Sequence, residues 1–120
     1  MVMVMLSLWF LATAREPQTH PGEGFACNLN ALNKTERARH HEISRSLFGA
    51  VQEQTELPDG FAFRLPRKSL PMVAEWVALE SRCCPFFSFG VDLARDNGPL
   101  WLRITGPGGA KEFMRLEMGL

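Results

Sequence analysis

Cys83 and Cys84 stand side by side, followed at once by Pro85, Phe86 and Phe87, and the chain has one further cysteine, Cys27. Thiols this close can share one soft ion or one oxidation event. A disulfide between adjacent residues forces a strained ring outside the usual Cα separation, so the pair is a poor structural crosslink. Three cysteines, an odd set, do not make the framework of a disulfide-stapled domain either. The chemistry that fits is coordination of a soft metal or metalloid ion, or thiolate reactivity. The competing reading is packing, because cysteine is also a small buried hydrophobe whose pKa and exposure decide its reactivity.

Further ligands are available at helical spacing. Projection at 100 degrees per residue puts Glu36 and His40 on the face that carries Ile43 and Leu47, while His41 points the other way. On the next helical segment Glu80 and Cys83 share the Trp76 and Leu79 face, with Cys84 at its margin. Carboxylates on a buried face are costly unless paired or metal-bound, and carboxylate–imidazole sites between facing helices are an established arrangement. Cys27 can return to the pair if the first segment packs beside the second helix. Three thiolates select Cu(I), Zn and similar ions, and trivalent arsenic or mercury fit by the same softness. Zinc would want a fourth ligand, for which His40 is the first candidate. The expected metal site is therefore Cys27, Cys83, Cys84, Glu80 and His40, with a metal ion or small thiophilic ligand as partner and otherwise no cofactor. Neither C-x-x-C nor H-x-x-x-H spacing is present. The bland alternatives are that Glu36 serves a capping box, that His40 is solvated or hydrogen-bonded, and that Glu80 pairs with Arg82, Arg37 or Arg39.

Two other function classes remain in play. One is a thiol-dependent enzyme or redox protein, with Cys83 or Cys84 as nucleophile, His40 or Glu80 as base, and Arg82 lowering the thiol pKa. The dipole at a helix C-terminus opposes a thiolate there, which ranks binding above catalysis. The other is a protein-interaction module whose cysteines only pack. The 13 basic and 13 acidic residues balance, which disfavours nucleic acid, since phosphate neutralisation needs a basic excess or stripe. Gly106-Pro107-Gly108-Gly109 lacks the phosphate-loop lysine and hydroxyl and reads as a strand-to-helix turn.

The elements that must position these residues follow from periodicity. A helix is expected from Asn33, as N-cap with Glu36 three positions on, to about Gln54. Leu57-Pro58-Asp59-Gly60 is a turn, leading to a strand with Phe61, Phe63 and Leu65 inward. Ser69 is the expected cap of a second helix with Met72, Val73, Trp76 and Leu79 as its stripe, ended by Pro85 so that Cys84 is the exit residue. Phe87, Phe89, Val91 and Leu93 alternate as a second strand. A turn at Asp96-Asn97-Gly98-Pro99 and a strand with Leu100, Leu102 and Ile104 inward complete an antiparallel hairpin. A short helix runs from Ala110 to about Met118, and a short strand near Phe25 is a further option. The first and second strands, joined through a helix, are candidates for parallel neighbours.

The fold class expected is α+β, a small, mostly antiparallel three- to four-stranded sheet with helices packed on one face. Residues 25–120 form one domain, preceded by an apolar segment and a Pro/Gly linker, residues 1–24, outside the fold. Met1 to Ala14 is too short to span a bilayer as a helix, so no membrane partner is expected. It resembles a signal peptide in its Ala12-Thr13-Ala14 end but carries no basic residue before Arg15. A cytoplasmic location is the expectation, with export as the alternative if residues 1–14 are a signal.

Overall fold

The computed structural model describes residues 25–120; the apolar segment and linker at 1–24 lie outside them. A 3-10 turn at Leu29–Ala31 leads into α1 (Lys34–Gly49), followed by β1 (Glu53–Leu57) and β2 (Gly60–Leu65). A second 3-10 turn at Arg67–Ser69 enters α2 (Leu70–Cys83), then come β3 (Ser88–Leu93), β4 (Leu100–Thr105) and α3 (Ala110–Met118). The strands form one antiparallel sheet in the order β1-β2-β4-β3. This is the α+β class expected.

Cross-strand register explains which sheet face is covered. Phe61 stands opposite Ile104, Phe63 opposite Leu102 and Leu65 opposite Leu100. Alternation carries all six to one face, and all six are buried against Ile43 and Leu47 of α1, Val73 and Trp76 of α2, and Met114 of α3. The inward rows read from sequence are correct here. On β3 the same row continues through Phe89, Val91 and Leu93, but Val91 and Leu93 are each 40% exposed, because β3 is a sheet edge that the helices cover only at its Phe89 end.

Four expectations are corrected. The first helix does not reach Gln54: it closes at Gly49, with the Ala50 amide donating to the Leu47 and Phe48 carbonyls. Residues 53–57 are instead an edge strand paired with β2 through a two-residue turn at Pro58-Asp59. Its residues are exposed except for partly buried Leu57, so backbone pairing rather than an apolar alternation makes the strand. Ser69 is buried in the 3-10 turn at φ −78°, ψ −3° and makes no side-chain cap. The strand option near Phe25 is not realised, the segment being irregular before the turn at Leu29–Ala31. Finally, β2 and β3 do run in the same direction, but β4 lies between them and pairs antiparallel with both.

Two tight positions fix the sheet's ends. A Cβ on Gly60 would overlap the Ile104 carbonyl, so only glycine lets β2 start this close to β4. Asp96 and Asn97 turn the β3–β4 connection at φ 58° and 56°, a left-handed conformation that their short polar side chains tolerate. Among the described residues no helix is long and apolar enough to cross a membrane.

Leu102, fully buried at the centre of this core, and Leu116, 79% exposed on α3, give a direct contrast. Leu102→Ala is expected to cost about 2–5 kcal/mol and Leu116→Ala less than about 0.5 kcal/mol, measured by denaturant unfolding. Equal costs would contradict this placement of the core.

Candidate functional site

The site lies where the C-terminus of α2 meets the segment entering α1. Asn33 and Glu36 form the expected capping box, Glu36 N donating to Asn33 Oδ1 at 2.8 Å and Asn33 N donating to Glu36 Oε1 at 3.0 Å. Glu36 also pairs with Arg82 near the end of α2, and Arg82 donates to the Ala31 carbonyl at 2.8 Å. The guanidinium beside it holds the Glu36 carboxyl below the usual carboxylate range, with the Asn33 amide adding to the effect. The Asn28 amide donates to the Cys83 carbonyl at 2.7 Å, so the entering strand of chain is tied to the last turn of α2. Glu36 thus positions the site from outside it.

The tie brings Cys27 to Cys84. Their Cα atoms stand 4.6 Å apart and their sulfurs are in bonding contact as a disulfide closing a 57-residue separation. This corrects the expectation that the cysteines make no crosslink. The adjacent-residue argument excluded a Cys83–Cys84 bond; the docking of residues 25–28, which carry no periodic signal, supplies the partner that it did not consider. Cys83 remains a free, buried thiol, with Cys84 Sγ 3.9 Å away and Glu80 Oε2 3.8 Å away.

Glu80 is 3% exposed. Its carboxylate meets His40 Nε2 across the α1–α2 interface on one side and the Cys83 thiol on the other. Two of the arginines weighed as partners of Glu80 pair elsewhere, Arg82 with Glu36 and Arg39 with Glu75 and Glu42, while Arg37 donates to the Leu32 carbonyl. His40 is in turn flanked by Trp76, ring centroids 6.4 Å apart and nearly parallel. Trp76 Nε1 donates to Ser44 Oγ at 3.0 Å, and Ser44 Oγ donates to the His40 carbonyl at 2.7 Å.

One ligand-type atom each from Cys27, Glu80, Cys83 and Cys84 lies within 4.8 Å of all the others. Of the five residues expected at a metal site, these four come together; His40 is not in that group and stands behind Glu80. A residue not anticipated completes the surroundings. Glu117 of α3 places Oε2 3.4 Å from Cys27 Sγ, and in the sequence it is one charged residue of a short helix with nothing to mark it. Glu117 is an exposed residue, yet partial burial of its carboxyl and the nearby Glu80 charge push it up to about 7, against the opposing pull of His40. Burial first, and the Glu80 carboxylate second, push the Cys83 thiol up to about 11. His41 is exposed, on the turn of helix expected.

No protein-family model, curated protein or solved structure matches the chain.

Two measurements follow from this geometry. Alkylation of the unreduced, denatured chain should label Cys83 alone and label all three cysteines after reduction, read by peptide mass; reduction should cost about 2–4 kcal/mol of stability. For Glu117 the folded pKa lies above the ordinary 4.5. Between about 4.5 and 7 the unfolded chain therefore releases a proton that the folded one keeps, and stability falls as pH rises through that window. Glu117→Gln is expected to remove this part of the decline, and an unchanged pH–stability curve would show that the carboxyl is freely solvated.

Proposed function

We propose that the protein binds a soft metal or metalloid ion through Cys27, Cys83 and Cys84 in their reduced state, with Glu80 beside them and His40 fixing Glu80. Sequestration, delivery or sensing of the ion is the corresponding role. The observation that carries this reading is the convergence of three sulfurs and one carboxylate oxygen within 4.8 Å of one another, drawn from two segments far apart in sequence. Sulfur donors favour thiophilic ions over hard ones, and the buried His40–Glu80 pair resembles the way outer carboxylate–imidazole contacts orient ligands in known metal sites. The Cys27–Cys84 disulfide is then the oxidised form of the same sulfur set, and reduction precedes binding.

The thiol-enzyme reading has less support. A nucleophilic cysteine needs a lowered pKa and access, whereas Cys83 is buried, pushed up to about 11, and next to a carboxylate rather than a cation. Coordination tolerates such a thiol, because the ion itself displaces the proton.

Titration of the reduced protein with arsenite or Cu(I), under anaerobic conditions, is expected to show one tight equivalent per chain with proton release. Cys83→Ser and Cys84→Ser should each weaken binding by at least about tenfold, the scale of one lost ligand or ligand-supporting contact. Cys27→Ser should have a smaller effect, and His40→Gln should weaken binding without abolishing it. Wild-type binding by the Cys83→Ser, Cys84→Ser double variant would leave the cysteines as core residues only.

A further inference from the structure

A cleft of about 330 Å³ opens between α1, α2 and the end of α3, with Phe48, Trp76 and Met118 as its apolar walls and a polar lining that includes Arg45 and two histidines as well as Glu80 and Glu117. Its size is at the low end of pockets that hold small organic ligands, and aromatic walls with a few polar groups are their usual make-up. Two of its carboxylates stand between the cleft and the thiol cluster and reach both: Glu80 Oε2 is 3.8 Å from Cys83 Sγ, and Glu117 Oε2 is 3.4 Å from Cys27 Sγ. A bare ion held by sulfur would leave this volume and its apolar walls unused. Phe48 and Trp76 meet edge to face at 5.4 Å, and Phe48 meets Phe63 in the same way, so the walls are part of the packed core rather than loose surface.

We propose that the ligand is a soft metal or metalloid ion carrying one organic group, the sulfurs holding the ion and the Phe48–Trp76–Met118 cleft holding the group. This rests on the soft-ion reading above and adds the ligand class to it. For a monosubstituted trivalent arsenical, R–As=O reacts with two thiols to give R–As(S–)2 and water. Two As–S bonds form, the two thiol protons leave with the oxo group, and arsenic keeps its oxidation state. Cys84 is common to both close sulfur pairs, bonded to Cys27 and 3.9 Å from Cys83, and is the thiol that either pairing uses. The third position on arsenic is then occupied by carbon, which has the cleft beside it.

The test compares two probes that use the same two thiols and differ only in the organic group, phenylarsine oxide and methylarsine oxide. Each is partitioned between the full-length protein and dithiothreitol, which keeps the cysteines reduced and normalises the intrinsic arsenic–sulfur affinity. The protein is expected to prefer the phenyl probe, relative to dithiothreitol's own preference, by at least about tenfold, as burial of the larger apolar group implies. Met118→Glu, which puts a charge into an apolar wall at nearly unchanged side-chain length, should cut that preference to about threefold or less, and Met118→Ala, which removes the wall, should reduce it in part. Arsenite binding by each variant reports that the sulfur site is intact. Arsenite binding with no phenyl preference, or a preference that survives Met118→Glu, overturns the organic-group assignment and leaves the soft-ion site standing. Failure of wild type to bind arsenite and both probes overturns the soft-ion reading itself.

Discussion

The Glu80 carboxylate sits almost entirely out of water between two helices, and much of the arrangement around it answers that burial. A carboxylate removed from water costs several kcal/mol unless partners replace its hydration. Here His40 meets it from α1, which fixes the register of α1 against α2, and the Cys83 thiol meets it from one helical turn away. Trp76 and Ser44 then hold His40 by ring contact and by a hydrogen bond to its carbonyl. An apolar residue at position 80 could pack these helices with less expense, since replacing buried charged pairs by hydrophobes is often neutral or stabilising. That a carboxylate stands there, beside sulfur, is why the helix interface reads as a site and not only as a core.

Adjacent cysteines end up with different partners because the helix stops between them. Cys83 is the last residue of α2, while Cys84 has left the helical region at φ −122°, ψ 70°, as the residue before Pro85 is pushed to do. The change of backbone direction sends Cys84 toward the segment that carries Cys27, and leaves Cys83 facing Glu80. Pro85 therefore separates the roles of two otherwise equivalent thiols. The Asn28–Cys83 backbone bond and the Arg82 contacts with Ala31 and Glu36 hold the entering segment in reach.

What the sequence made legible divides along the same physical line. The inward rows of β2 and β4, the Val73–Trp76–Leu79 stripe and the Cys84 exit are local patterns, and each was readable because a buried face imposes a period or a proline imposes a dihedral. β1 was not readable. Glu53–Leu57 buries almost nothing, so its pairing with β2 leaves no hydrophobic mark, and the helical pattern read from sequence overruns into its first two residues. At the site, the shared face of Glu80 and Cys83 was visible, as was that of Glu36 and His40. The pairing among them was not, because which arginine takes which carboxylate depends on the offset between helices. Cys27 reaches the cluster from a segment with no periodicity and Glu117 from the exposed side of α3, and only the tertiary docking brings them in.

The charge balance of the cluster sets what the sulfurs and carboxylates can do together. Glu80 and Glu117 both face the sulfurs, and a second negative charge close to the first is disfavoured, which is part of why the Glu117 carboxyl and the Cys83 thiol are pushed toward their neutral forms. A thiolate there would add to an already acidic site with little water to screen it. The same crowding that makes Cys83 a poor nucleophile makes a cation the natural counterpart of the deprotonated set. Disulfide formation between Cys27 and Cys84 relieves the problem in another way, by removing two ionisable sulfurs at once. Oxidation and the proposed ion binding are thus two solutions to one electrostatic constraint, and they exclude each other at Cys84.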